Sequence, residues 1–216
     1  SMTQAGDHVV AARALFGSCL YVWEDVLARF GVQVTLVDGL DLDAWAQAIR
    51  LDTKLVFFES ISNPTLEVID IVAVADLAHA VGALVVVDNV FPTPVYSKAI
   101  PLGADIVIYS ATKHIDGQGR GLGGVILGTK EVIRSVVEPF MKHTGGAMSP
   151  FNAWMMVKSL ETLDLRVRAQ VETATELAKV LEQRADLLQV IYPGLQSHPQ
   201  FDLTQAQMGA GGTVLA

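Results

Sequence analysis

Short apolar runs rich in β-branched residues recur along the chain and alternate with segments of helical spacing. We predict a strand at each run: residues 7–12, 32–37, 55–58, 83–87, 105–109 and 122–127. The intervening spacing predicts helices over residues 18–30, 42–49, 71–81 and 130–140. Helices that alternate with buried strands are typical of α/β proteins with a mostly parallel sheet and right-handed crossovers.

The character of the sequence changes after residue 129. Residues 151–183 have helical spacing throughout, which predicts one long helix or two joined helices, and the apolar run after Gly212 predicts a strand cut short at Ala216. We therefore interpret residues 1–150 as a large domain whose N-terminal part is missing. Residues 151–216 are interpreted as a connecting helix and the truncated beginning of a smaller C-terminal α+β domain.

The composition supports a buried sheet and argues against a membrane span. Of 216 residues, 51% are hydrophobic and the mean hydropathy is +0.40. Strands covered on both faces account for this value, because they read as continuous apolar runs. The most apolar stretch, residues 71–87, contains Asp76, His79 and Gly82. It therefore lacks the roughly 20 uninterrupted apolar residues that a bilayer requires.

Charge and cysteine content exclude further classes. The net charge is −8, from 15 basic and 23 acidic residues, and the basic residues form no run. Binding to nucleic acid through its phosphate backbone is therefore not expected. Cys19 is the single cysteine, which excludes an intrachain disulfide and a cysteine-rich metal site; we expect no metal. A reducing, cytoplasmic compartment fits this content best.

Polar residues follow the predicted strands at positions where parallel α/β sheets bind ligands. They are Asn63, Asp88 and the run Ser110-Ala111-Thr112-Lys113. A carboxylate at one strand end and a lysine 25 residues later suit pyridoxal phosphate (PLP). That cofactor needs a lysine to form an imine and a carboxylate to keep its pyridine nitrogen protonated. The hydroxyls of Ser110 and Thr112 could bind its phosphate.

Each of these residues also has an ordinary structural interpretation. A lone lysine after a strand is usually a solvated surface residue. Asp88 could cap a helix, and Asn63 before Pro64 is common turn chemistry. A Rossmann-like nucleotide site is disfavoured, because no G-x-G-x-x-G follows the first strand. Spacing alone therefore leaves PLP a minority interpretation.

Three longer strings change this balance. Residues 105–119 read DIVIYSATKHIDGQG, residues 59–71 read ESISNPTLEVIDI, and residues 85–95 read VVVDNVFPTPV. They resemble the PLP-attachment signature and the two other core motifs of the cysteine/methionine-metabolism (transsulfuration) family of PLP-dependent enzymes, in the same order. The resemblance extends over essentially the whole chain. It implies the type I, aspartate aminotransferase-like α/β fold, with a mostly parallel sheet flanked by helices.

The resemblance assigns roles to the strand-end residues. It implies that Lys113 forms the imine with PLP and later shuttles a proton, and that Asp88 pairs with the pyridinium nitrogen. Asn63 would bind the phenolic oxygen of the ring, and Ser110 and Thr112 the phosphate. The family also takes cofactor and substrate contacts from upstream and downstream segments and from a neighbouring subunit. We therefore expect residues 1–216 alone to be inactive.

Two departures from the family pattern narrow the activity. Where the family usually has a tyrosine in a YGGT-like string, this chain has Phe16 in LFGSC, which can stack on the cofactor but cannot transfer a proton. The residue after the lysine is His114, which could equally be a packed residue without a catalytic role. The strings RALFGSC and TKHIDGQGR resemble the O-succinylhomoserine sulfhydrylase branch.

That branch implies a transferase of methionine biosynthesis. It exchanges the acyl group of an O-acylhomoserine, here O-succinylhomoserine, for sulfide and gives L-homocysteine. Cystathionine γ-synthase, a γ-lyase and a non-catalytic protein on the same scaffold remain alternatives, and Phe16 argues against the lyase. The resemblance also implies a homo-oligomer in which dimers pair into tetramers.

Overall fold

Six strands form one sheet in the computed structural model, which describes residues 2–216. They are β1 (His8–Ala12), β2 (Gln33–Val37), β3 (Thr53–Glu59), β4 (Leu84–Asp88), β5 (Ile106–Ser110) and β6 (Gly124–Gly128). The spatial order is β2-β1-β3-β4-β5-β6. Neighbouring strands are parallel except β6, which runs antiparallel to β5. All six predicted strands are confirmed, and so is the mostly parallel sheet.

The central strands are buried on both faces, as their unbroken apolar sequences require. Every residue of β1 is buried, although successive side chains of a strand point to opposite faces. Four residues of β3, Leu55–Phe58, are likewise buried in succession. Together with β4 and β5 they form the main hydrophobic core, which extends to Trp45 and Ile71 on the helices. This burial explains the high mean hydropathy.

Helices lie between the strands and after the last of them. They are α1 (Gly17–Tyr21), α2 (Leu42–Ala48), α3 (Ile71–His79), α4 (Thr93–Tyr96), α5 (Lys130–Val132) and α6 (Glu138–Thr144). The first continues as a π-helical segment, Val22–Leu27. Aspartates cap two of them: Asp41 accepts hydrogen bonds from two backbone N–H groups of α2, and Asp70 accepts one from α3. No helix within residues 2–216 is both long and apolar enough to cross a bilayer.

The C-terminal third consists of α7 (Pro150–Leu160), α8 (Leu163–Glu182) and α9 (Phe201–Gln207). The segment predicted as one or two helices is therefore two, and the buried face of α8 packs against Val95 and Tyr96 beside the sheet. The strand predicted after Gly212 was wrong. Those residues form no strand in the described chain, and Ala216 instead exchanges two backbone hydrogen bonds with Ile191, of 2.7 and 2.9 Å.

Candidate active site

A cleft of about 110 Å³ opens where the parallel strands β3, β4 and β5 end. Glu59 and Asp88, the last residues of β3 and β4, are register partners, so their side chains start from neighbouring positions. Five of the six predicted site residues meet in this cleft: Phe16, Asn63, Asp88, Ser110 and Lys113. The carboxyl edge of the sheet thus brings together residues that lie up to 97 positions apart in the sequence.

Lys113 enters the cleft from a short helical segment, Ala111–Ile115, that follows β5. The carbonyl of Gly123 accepts a hydrogen bond from the Ala111 N–H at 2.8 Å and so ties this segment to the approach of β6. The backbone of Lys113 departs from helical values, with φ −86° and ψ −113°. Its amine takes part in none of the ion pairs formed within residues 2–216, so it is available to a ligand.

Thr112 is the predicted site residue that does not line the cleft. Its hydroxyl accepts a hydrogen bond from the N–H of Gly123 at 3.1 Å and lies 3.4 Å from the carbonyl of the same residue. Ser110 is therefore the only one of the two predicted phosphate-binding hydroxyls that lines it. A phosphate dianion needs further charge-assisted bonds, which neither residue supplies.

Asp88 is the carboxylate of the cleft. Burial raises the pKa of its side chain from 3.8 to about 6, although the N–H of Val90, which donates to Oδ1 at 3.0 Å, partly offsets that rise. No basic side chain forms an ion pair with Asp88 anywhere in the part of the chain described here. A cationic ligand group placed beside this half-buried carboxylate would therefore gain from its uncompensated charge.

Asn89, which the sequence did not mark as important, fixes the turn that follows Asp88. It is fully buried, and its Oδ1 accepts a hydrogen bond from the Ser60 hydroxyl at 2.8 Å. Its amide nitrogen donates to the Ser97 carbonyl at 2.9 Å and to the Tyr109 hydroxyl at 3.0 Å. These bonds connect the turn after β4 to the end of β3 and to β5. They thereby fix the backbone next to Asp88.

Phe16 lies just before the first residue of α1 and is 48% exposed, with its ring bordering the cleft. Cys19, on the next turn, has its thiol within 4.8 Å of the carboxylates of Glu59 and Asp88. Burial and then the charges of these two carboxylates raise the pKa of Cys19 to about 11. The thiol is therefore protonated at neutral pH and is not a ready nucleophile.

Glu59 is the most informative residue that sequence reasoning missed. It is only 5% exposed and lines the cleft. Oε1 accepts a hydrogen bond from the backbone N–H of Phe16 at 2.8 Å, and Oε2 accepts one from that of Asn63 at 2.7 Å. Burial raises the pKa of Glu59 to about 7, although those two hydrogen bonds lower it. In the sequence Glu59 directly follows the predicted strand of residues 55–58, and only its register with Asp88 in the sheet marks it as a site residue.

Two arginines contact the helical segment that carries Lys113 and the residue that follows it. Arg166 of α8 donates from its guanidinium to the carbonyls of His114 at 2.9 Å and Ile115 at 3.2 Å. Arg120 forms a 2.8 Å ion pair with Asp116, whose side chain is fully buried. Arg166 thus donates hydrogen bonds to two backbone carbonyls of the segment that carries Lys113, and Arg120 pairs with the carboxylate of Asp116 directly after that segment. Neither role was predicted from the sequence.

His114 is a packed residue in this arrangement. Its Nε2 lies 2.7 Å from the hydroxyl of Thr213, near the C-terminal end of the described residues. Burial lowers the pKa of His114; the nearby Val90 backbone opposes this, and the charges of Arg166 and Lys113 lower it further. One ring nitrogen of His114 is thus hydrogen-bonded, whereas Nδ1 is buried and has no hydrogen-bond partner within the described residues.

The residues of the cleft fit PLP on their chemistry. Within residues 2–216, the cleft offers a primary amine with no ion-pair partner, a half-buried carboxylate with no ion-pair partner, and an aromatic residue at its border. These groups match the imine carbon, the pyridinium nitrogen and the ring face of the cofactor. The phosphate is matched only by Ser110 in this cleft. Lys113 and Asp88 would thus hold the reactive end, and additional groups would have to hold the phosphate.

An α/β sheet with a lysine and a carboxylate at the ends of adjacent strands is the architecture of PLP-dependent enzymes of the type I fold. The family model for Cys/Met metabolism PLP-dependent enzymes matches residues 1–216. The chain belongs to this family, whose cofactor is PLP.

The relatives of the chain include two sulfhydrylases. An O-succinylhomoserine sulfhydrylase of Mycobacterium tuberculosis (strain ATCC 25618 / H37Rv) is 54% identical over 211 residues, which are 98% of this chain and 52% of the relative. One from Pseudomonas aeruginosa is 47% identical over 216 residues, covering 100% of this chain and 53% of the relative. Canavanine γ-lyases and L-methionine γ-lyases are also among the relatives. The chain spans about half the length of the curated relatives it matches.

A solved structure shows the same fold. The crystal structure of cystathionine γ-lyase from Lactobacillus plantarum complexed with L-serine superposes with a TM-score of 0.95 at 30% sequence identity. The superposition covers 99% of this chain and 56% of that chain. The type I fold expected from the sequence motifs is thereby confirmed.

Proposed function

We propose that the protein containing this chain is a PLP-dependent transferase that converts an O-acylhomoserine, specifically O-succinylhomoserine, and sulfide to L-homocysteine. The observation that carries the proposal is the meeting of Lys113, Asp88 and Phe16 in one cleft at the carboxyl edge of the sheet. The identities of 54% and 47% to O-succinylhomoserine sulfhydrylases support the choice of reaction.

The chain's own residues divide the work. When bound, PLP supplies the electron sink that makes the substrate Cα proton acidic. The Lys113 amine would attach the cofactor and, once the substrate amine has displaced it, would accept the Cα proton and then a proton from Cβ. The electron pair left on Cβ expels succinate from Cγ, and a proton returns to Cβ when sulfide adds at Cγ. The Asp88 carboxylate accepts the N–H of the pyridinium, which keeps that nitrogen protonated. Loss of succinate from Cγ and addition of sulfide there complete the replacement.

The remaining site residues orient rather than react. Phe16 packs on the ring face and has no hydroxyl with which to move a proton. Asn63 donates its side-chain amide to the phenolic oxygen, and Ser110 donates its hydroxyl to the phosphate. We propose that Thr112 also binds the phosphate. To do so its hydroxyl must give up the 3.1 Å hydrogen bond that it accepts from the N–H of Gly123.

A γ-lyase is the second candidate, because the superposed structure is a cystathionine γ-lyase. The test is to incubate the full-length protein, PLP and O-succinylhomoserine in three parallel reactions: with sulfide, with cysteine, and without a thiol. The proposal predicts homocysteine with sulfide as the fastest reaction and little ammonia release without a thiol. Faster cystathionine formation with cysteine would make it a γ-synthase, and ammonia release without any acceptor would make it a lyase. Lys113→Ala is the control and should be inactive in all three.

We also propose that the protein assembles as a homo-oligomer, with dimers pairing into tetramers, and acts in the cytoplasm. Three large side chains on α7 favour assembly: Phe151, Val157 and Trp154 are 68%, 61% and 60% exposed. Apolar surface of this kind is usually covered by further protein. Light scattering on the full-length protein would test the oligomer, and a mass corresponding to one subunit would contradict it.

A further inference from the structure

Glu59 links the two loops that border the cleft. One carboxylate oxygen holds the backbone N–H of Phe16 and the other holds that of Asn63, at 2.8 and 2.7 Å. Phe16 precedes α1, whereas Asn63 follows β3, so the two residues are 47 positions apart and have no other reason to move together. Hydrogen bonds from N–H groups to a charged carboxylate are roughly twice as strong as those between neutral groups.

The position of Glu59 is otherwise unfavourable. It is 95% buried, faces the carboxylate of Asp88 and the thiol of Cys19 within 4.8 Å, and forms no ion pair in residues 2–216. Lys113 is the one basic side chain among the residues that line the same cleft. A buried carboxyl with no cation beside it destabilises the fold while it is charged, which is why burial raises the pKa of Glu59 to about 7. A bound ligand with a cationic ring would offset this charge together with that of Asp88.

We propose that Glu59 is a positioning residue that fixes Phe16 and Asn63 relative to each other, so that the ring-stacking side chain and the oxygen-binding side chain contact one cofactor at the same time. This inference rests on the proposed function, because it assigns those two roles to Phe16 and Asn63. Glu59 itself touches neither the substrate nor the reacting atoms. Its two oxygens act through the backbone of the residues that do.

Two variants separate positioning from charge. Glu59→Gln keeps the volume but turns one oxygen into an NH₂ group, which faces a backbone N–H and leaves it without an acceptor. Glu59→Asp keeps the negative charge beside Asp88 but is one methylene shorter, so one carboxylate cannot reach both N–H groups. Asp70→Asn is the matched control, since Asp70 accepts a backbone N–H at 2.9 Å as the cap of α3 and does not line the cleft.

The experiment titrates the cofactor-free full-length protein with PLP and follows the visible absorbance and its induced circular dichroism. The dichroism reports the orientation of the ring, which a purely structural loss would not alter. We expect both Glu59 variants to bind PLP about tenfold to a hundredfold more weakly than wild type, with an altered dichroism, because one charge-assisted bond is lost. Asp70→Asn should bind within about twofold of wild type.

The outcomes are distinguishable. Wild-type affinity and dichroism in Glu59→Asp would overturn the inference, and since this variant keeps the charge it decides the matter even if Glu59→Gln fails to fold. Equal weakening in Asp70→Asn would overturn it as well, because the effect would then be a general loss of stability. Absence of any visible band in wild type would instead refute the proposed function, and this inference with it.

Discussion

The cleft carboxylate Asp88 should make the cofactor-free protein less stable than it could be. Burial raises the pKa of Asp88 from 3.8 to about 6. A shift of this size corresponds to about 3 kcal/mol of preference for the protonated form in the folded chain. Asp88→Asn removes the charge and keeps an oxygen that can accept the Val90 N–H. We therefore expect the variant to be more stable than wild type without cofactor, by up to ~3 kcal/mol at pH 8.

The gain should depend on pH in a defined way. A carboxyl whose pKa is higher in the folded chain than in the unfolded chain favours folding while it is protonated. For Asp88 that contribution is complete below about pH 3.8 and is lost as the pH rises through about 6. The stability difference between Asp88→Asn and wild type should therefore be largest at pH 8, and should shrink towards zero as the pH falls to about 4.

Urea denaturation of the full-length protein, after removal of PLP, measures this difference at several pH values. Asp52→Asn is the control, because Asp52 is exposed and its loss should change stability by less than about 0.5 kcal/mol at every pH. Added PLP should stabilise wild type more than Asp88→Asn, since only wild type offers a charge to the pyridinium. A variant no more stable than wild type at pH 8, or a gain independent of pH, would refute the reasoning.

Three further changes test other parts of the account. Gly117→Ala should destabilise the protein by about 2 kcal/mol in urea denaturation, because Gly117 has a φ of +75° and a Cβ there would lie 1.9 Å from Nη1 of Arg166; an unchanged midpoint would contradict this. Burial lowers the pKa of His8, whose ring lies 2.9 Å from two threonine hydroxyls. Its support for folding is therefore complete above about pH 6.5 and is lost as the pH falls through the lowered pKa, so His8→Gln should lose less stability than wild type as the pH falls below about 6.5; parallel curves would refute it. Phe16→Tyr should raise ammonia release relative to homocysteine formation about severalfold by restoring a hydroxyl that can move a proton, and an unchanged product ratio would count against that role.

The sheet was predictable because its strands are buried on both faces. A run of adjacent apolar side chains, such as residues 84–87, is typical of a strand that is covered on both faces. The polar residue after each such strand then indicates the edge of the sheet at which ligands bind. The antiparallel direction of β6 was not predictable, because direction is set by the path of the chain and not by the residue pattern of the strand. The short helix α9 was missed for a related reason, since its seven residues carry too weak a periodicity.

Site residues were predictable where they belong to long sequence motifs. They were not predictable where their contacts depend on elements that only the tertiary structure brings together. Lys113 and Asp88 lie in the strings of residues 105–119 and 85–95, which resemble motifs of the family over many adjacent positions. Glu59 reads as the first residue of a polar loop, and only the pairing of β3 with β4 shows that its carboxylate is buried between two loops. Arg166 reads as an exposed helical residue, and only the approach of α8 to the lysine segment shows its bonds to two backbone carbonyls.

The proposed function requires that Lys113 attaches PLP in the cleft that it shares with Asp88. The most direct measurement is to add PLP to the full-length protein, reduce with borohydride, and locate the modified peptide by mass spectrometry, for wild type and Lys113→Ala. We expect a visible absorbance band in wild type and a cofactor fixed covalently on Lys113, with neither in the variant. A cofactor fixed on another lysine, or an equal band in Lys113→Ala, would contradict it.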